Sequence, residues 1–415
     1  MTERLNILFV PNYNPDGNDQ MNTEHRPSQE HCPHSVGQRR SGQDLDLNRD
    51  GVKMEGVETK GLFRHVIAKY KPKVFVDMHT TNGTWHANQL TFAHSYHTAG
   101  SGIVANYTRD SMLKVIQQTM LDSHAIQTNF YGNFYMKEGW PLQNYYTYNH
   151  HPRYLVNQFD LRNAIGILSE TFAHDKFYTR IRSAYHFAKE ILQYSYQQHR
   201  RIIGLCQESR KAPQTILSDS SKKRIGVRFS MKPRRKTIQL QTYDYRSYQG
   251  KNGQTKYVRS PLKVTHDSIR IHDRFEAVKT SIFPAYYIFS SSMSSIADIL
   301  TDHGIHIDTL QDYRTISVDQ FIIDQFDVSE RAFEKHHMVN IDGQFTSTSK
   351  RFKKGDFLIR TDQELGFLLF YILEPQSDDG LITWNFFDAY FHKKGILRKN
   401  VVYPIYKIHT NNLSR

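Results

Sequence analysis

Two stretches, KVFVDMH at Lys73–His79 and AIGILSE at Ala164–Glu170, run apolar and then stop on a chemically active side chain. Short, unbroken apolar runs of this length read as strands buried on both faces. A third such run, ILFV at Ile7–Val10, reads the same way. Between them lie longer amphipathic segments. Val57–Pro72, VETKGLFRHVIAKYKP, reads as a helix with Leu62, Val66 and Ile67 inward, stopped by Pro72. Residues 102–121 read as a second helix, and Tyr178–Gln198 as a closing one. Strand and helix alternation predicts an α/β domain with a mixed, mainly parallel sheet flanked by helices. In such sheets ligands bind at the carboxyl ends of the strands. Here those ends carry Asn14-Pro15-Asp16-Gly17, His79 and Glu170.

The totals bound the rest. At 415 residues the chain is long enough for two cores. The expected division is residues 1–205 as the α/β domain, 206–262 as a basic linker with the start of a second domain, and 263–415 as a β-rich domain with one helix near Ser295–His303. No run approaches the roughly 18 apolar residues of a membrane span, and the first residues lack the pattern of a signal peptide. Two cysteines, Cys32 and Cys206, make no disulfide framework and no zinc ribbon. The net charge of +13 favours anionic partners or a solvated basic surface. Its densest part, Lys222–Lys236, has neither interleaved stacking aromatics nor a known motif, which argues against nucleic acid and for a basic linker.

The candidate site starts from GQDLDLNRDGVKMEG, Gly42–Gly56. Leu45 and Leu47 alternate with Asp44 and Asp46, as at the end of a half-buried strand. The run then delivers Asn48 and Arg49 side by side. An amide beside a guanidinium fork suits a carboxylate ligand. Arg39, ten positions earlier in GQRR, supplies a second guanidinium able to steady an oxyanion. His79 suits either a metal ligand or a hydrogen-bonded core histidine. Glu170 suits either a buried general base or a strand-end ion pair. Glu30-His31-Cys32-Pro33-His34 holds metal-binding residue types, but with no matching second cluster it reads as a solvated loop.

Taken in order, VPNYNPDGN, GQRR, LDLNRD, VFVDMHTTNG and GILSETFA resemble the zinc metallocarboxypeptidase family of carboxypeptidase A type, over about Leu5 to Gln198. DFLIRTDQELGFLLFYILEP, WNFFDAYF and YPIYKI resemble the trailing β-rich domain of a bacterial branch of that family. The resemblance implies an enzyme that removes the C-terminal residue of peptides or proteins with zinc as cofactor. It implies that Asn48 and Arg49 hold the terminal carboxylate. Arg39 would polarise the scissile carbonyl, with Arg40 and Arg26 as rivals. His79 would be a zinc ligand and Glu170 the proton shuttle. Tyr148 would cap the substrate, with Tyr146 and Tyr154 competing, and His150, His151 and His174 would flank the cleft without coordinating. The family also places an H-x-x-E zinc pair upstream of the NPDG block. Neither residue type occurs in that pattern among the thirteen residues before Asn14. The expectation is therefore a chain truncated at its start, either an impaired zinc peptidase or a non-catalytic binder of peptide C-termini.

Overall fold

The computed structural model describes residues 3–219, 223–250, 253–394 and 401–410. The first sheet holds β1 (Val74–Thr80), β2 (Leu90–His94), β3 (Thr128–Phe130) and β5 (Ile165–Thr171) in the order β1-β5-β2-β3. β1/β5 and β2/β3 are parallel and β2/β5 antiparallel, so the sheet is mixed with two of its three pairings parallel. In the β1/β5 register Asp77 lies beside Leu168 and His79 beside Glu170. Side chains alternate across a strand, so Asp77, His79, Leu168 and Glu170 share one face. Ile165 and Ile167 point to the other, against the helices of residues 103–124, Phe177–Gln197 and His199–Ser218, whose Ile116, Phe187 and Ile202 complete that core.

Lys71 takes the left-handed conformation just before Pro72 and ends the helix of residues 57–70, as the sequence predicts. On the cavity face Phe75 stacks on Phe159 of the Leu155–Leu161 helix at 4.1 Å. That helix approaches β5 so closely that a Cβ on Gly166 would lie 2.4 Å from the Val156 carbonyl.

A second sheet is antiparallel throughout. It holds β9 (Tyr286–Phe289), β10 (Asp308–Thr309), β11 (Arg314–Val328), β12 (Val339–Phe352), β13 (Phe357–Arg360), β14 (Val401–Val402) and β15 (Tyr406–Ile408). The Ser294–Asp302 helix sits where one was expected. A third sheet joins β4 (Asn144–Tyr146), from the first part of the chain, to β6 (Arg224–Pro233), β7 (Ile238–Gln249) and the 28-residue β8 (Thr255–Ile282).

Four expectations are corrected. Ile7–Val10 is not a strand: no described strand pairs with it in a ladder, and Phe9 is 78% exposed. Asp44–Leu47 is not a strand end. Asp46 instead accepts a hydrogen bond from its own i+2 amide, Asn48 N, at 3.0 Å, and opens a short 3₁₀ turn, Leu47–Arg49. The linker expected from residue 206 is helix to Ser218, followed by the long strands of the third sheet; Lys222 lies outside the described residues. The two domains also share one core. Met54, Phe63 and Phe159 pack into the same apolar cluster as Phe289, Leu369 and Trp384. The helix Gly366–Leu373, FLLF at its centre, is buried all round and serves as the hub of that cluster. Among the described residues no helix is long and apolar enough to cross a membrane.

Candidate functional site

The loops that follow the NPDG block are fixed by close backbone approach. Asn14 caps the short helix Pro15–Asp19 by accepting from Gly17 N at 3.1 Å, and its amide donates to the Arg39 carbonyl at 3.1 Å. Gly17 has no room for a Cβ, which would lie 2.4 Å from the Arg40 carbonyl. The Gln38 amide donates back to the Gly17 carbonyl at 2.8 Å. The two blocks are therefore one unit that presents Arg39. Asp50 does the same for the next segment: fully buried, it accepts from Lys53 Nζ, Glu55 N and Gly56 N.

These elements enclose a cavity of about 510 Å³. Arg39, Asn48, Arg49, His79, Tyr148 and Glu170 all line it, joined by Arg26, Asp77, Tyr131, Tyr154, Val156 and Leu168. Residues scattered from position 39 to 170 thus meet at the carboxyl ends of β1 and β5. The lining is cationic on Arg26, Arg39, Arg49 and His79, and aromatic on its three tyrosines.

His79 Nε2 bonds Asp77 Oδ1 at 3.0 Å. Burial alone would lower the imidazole pKa. The Asp77 carboxylate and, behind it, Glu170 overcome that and push it up to about 9. Glu170 is raised too, but there burial is the cause. It lifts the carboxyl to about 7 against the pull of His79, and Oε2 is buried without a partner. An acid whose ionisation sits near neutrality, facing a cavity, is suited to proton transfer. Arg49 Nη1 donates to the Asn48 carbonyl at 2.8 Å, and its guanidinium stacks over Tyr154 at 4.7 Å. Among the described residues no carboxylate pairs with it.

The remaining expectations divide. Arg39 is held by Asp46, with Nε and Nη2 both at 2.8 Å from Oδ2, so its charge is already offset. Arg40 leaves the site altogether for Glu334 at 3.1 Å. Arg26 does line the cavity, and burial and the neighbouring Arg39 lower its pKa. Tyr148 sits in an aromatic cluster with Tyr96, Tyr131 and Tyr154, its hydroxyl 3.3 Å from Asn157 Oδ1. Tyr146 turns away to Glu138. His174 bonds Glu30 and the Gly83 carbonyl, each at 2.9 Å, beside the cavity. Glu30 is thereby engaged, and Cys32 lies 2.9 Å from Arg180. Asp77, which orients His79, is the residue the sequence reading passed over. Its signal was the Asp-x-His spacing, which puts both side chains on one face of a strand.

The zinc expected with the resemblance finds too few donors here. With Nε2 committed to Asp77, His79 offers Nδ1 alone, whereas a catalytic zinc takes three protein ligands. Among the described residues the one group of three or more converging ligand atoms is His150, His151 and Asp378, which does not include His79. No family model, curated protein or solved structure matches the chain.

Proposed function

We propose that the cavity receives the C-terminal carboxylate of a peptide, and that the chain is a metallocarboxypeptidase-like binder of peptide C-termini. The observation that carries this is Arg49. It is a cavity-lining guanidinium with no carboxylate of its own among the described residues, fixed by Tyr154 and the Asn48 carbonyl and adjoining the Asn48 amide. A planar fork of this kind takes a carboxylate through two parallel hydrogen bonds. Tyr131, Tyr148, Tyr154 and Leu168 supply an aromatic and aliphatic wall suited to an apolar terminal side chain. Hydrolysis is the second reading, favoured by Glu170, whose unpartnered oxygen and raised pKa suit a general base. The zinc it would need lacks a donor set around His79, so no catalytic step is assigned.

The test is calorimetry with an acetylated peptide ending in Phe, as free acid and as amide. A charge-assisted pair of hydrogen bonds contributes about 1.5–3 kcal/mol. The amide, and separately Arg49→Ala with the free acid, should therefore bind roughly 10- to 150-fold more weakly. Equal affinity for acid and amide would sink the reading.

A further inference from the structure

Between Tyr148 and Tyr154, both on the cavity wall, the chain reads Asn149-His150-His151-Pro152-Arg153. Asn157 holds this loop from below, its amide donating to the Asn149 carbonyl at 2.8 Å and the His151 carbonyl at 3.2 Å. Across from the two imidazoles stands Asp378, just beyond the buried Gly366–Leu373 helix. One ligand atom from each of His150, His151 and Asp378 lies within 4.8 Å of the others.

Three features of this cluster point to a cation. His150 is 1% exposed, and its Nδ1 is buried with no partner, so among the described residues the one side chain within hydrogen-bonding distance of the ring is the Asp378 carboxylate. Its Nε2 lies 3.3 Å from both Asp378 oxygens. A charge-assisted bond between these groups should be about 2.7–2.9 Å. A separation near 3.3 Å is instead the edge of a tetrahedron of ligands about 2.0–2.1 Å from a common centre. Finally, Asp378 is oriented from outside the cluster, as metal-binding carboxylates are. The Tyr371 hydroxyl donates to Oδ1 and the Phe229 amide to Oδ2 at 2.9 Å.

We propose that His150, His151 and Asp378 bind one divalent transition-metal ion of the zinc class. Two imidazoles and a carboxylate, with no thiolate, suit zinc or cobalt and do not suit copper(I) or an iron–sulfur cluster. A rotation of the half-buried His151 closes the set, and water completes it. The ion would tie the loop bearing Tyr148 and Tyr154 to the part of the chain after β13, so that metal and cavity wall are linked through the residues between the two tyrosines. The inference does not depend on what the cavity binds.

The experiment titrates the full chain, stripped with chelator, with Co²⁺ and reads the visible d–d absorption of low-coordinate cobalt. One cobalt per chain, displaced by Zn²⁺, is expected. His151→Asn, at a half-buried position that need not disturb folding, should weaken binding at least roughly 100-fold, the upper end of what removal of an outer partner costs. Asp378→Asn should do the same, with circular dichroism checking its fold. His79→Asn should leave the spectrum unchanged. No cobalt band in the wild type overturns the proposal. So does a band that survives His151→Asn, or one that vanishes with His79→Asn alone, which would move the ion into the cavity.

Discussion

Replacing Glu170 by Gln should stabilise the protein, by an amount that grows as pH rises from about 4.5 to about 7 and then levels off. Glu170 is 8% exposed, and burial lifts its pKa from the ordinary 4.5 to about 7. Below pH 4.5 the carboxyl is neutral in folded and unfolded chains alike, and Gln is a near match for it. Between 4.5 and 7 the unfolded chain ionises while the folded one does not, so the wild type loses stability at about 1.4 kcal/mol per pH unit. The loss is complete above the folded pKa, at about 3 kcal/mol. The pull of the neighbouring His79 is already contained in that value. The expected advantage of Glu170→Gln is therefore near zero at pH 4 and about 3 kcal/mol at pH 8. Urea denaturation of both proteins across that range measures it. A difference that does not vary with pH would refute the reasoning, because it would mean the carboxyl is not held out of water in its charged form. A wild type that gains on the variant as pH rises would refute it more sharply, because Glu170 would then have a cationic partner strong enough to depress its pKa.

Three other outcomes follow from the same geometry. Asp77→Asn removes the partner that holds the His79 pKa near 9, so the imidazole should titrate at or below its ordinary value by NMR; the associated stability, about 3 kcal/mol, is present below pH 6.5 and gone above 9, so wild type and variant should converge at alkaline pH. Asp379→Ala should cost about 3–5 kcal/mol in urea denaturation, because Asp379 takes Arg153 Nη2 at 2.6 Å, Arg153 N at 2.8 Å and Trp384 Nε1 at 3.0 Å, and its loss strands a buried guanidinium; adding Arg153→Met should recover most of that. Gly166→Ala should lower the melting temperature by an amount equivalent to about 1–3 kcal/mol, since a Cβ 2.4 Å from the Val156 carbonyl must push the Leu155–Leu161 helix off β5.

Of the strands that carry the site, β5 is buried on both faces and was legible for that reason, whereas β1, expected to be buried likewise, is a half-buried edge strand legible only as an apolar run. Ala164–Glu170 has no polar residue before Ser169, and nothing but a central strand accommodates that run with Gly166 in it. The same criterion failed at Ile7–Val10, because an apolar run becomes a strand only where a ladder partner lies beside it, and pairing is not written into the run itself. The third sheet was missed for a related reason. β8 is polar and apolar by turns over 28 residues, changes partner from β7 to β6 along its length, and accepts β4 from a distant part of the chain. Its alternation was visible, but its partners were not. The shared core was hidden because FLLF at 367–370 reads equally well as a strand or a buried helix.

The site residues were legible as types and not as pairs, and the pairs decide what the types can do. Arg39 and Arg49 look equivalent in sequence as guanidinium donors. In the fold Asp46 neutralises the first, while the second has an aromatic ring and a carbonyl for neighbours. Under the proposed reading an incoming carboxylate would meet a competitor at Arg39 and, among the described residues, none at Arg49, which would make Arg49 the stronger anchor. His79 shows the same logic. Its burial would make it neutral and a good metal ligand, but Asp77 keeps it protonated near neutral pH and so makes it one more cation in the wall. Between them, Asp46 and Asp77 set the balance of the cavity. They leave a pocket that remains cationic at Arg26, Arg49 and His79, beside a carboxyl, Glu170, that burial holds at the edge of ionisation.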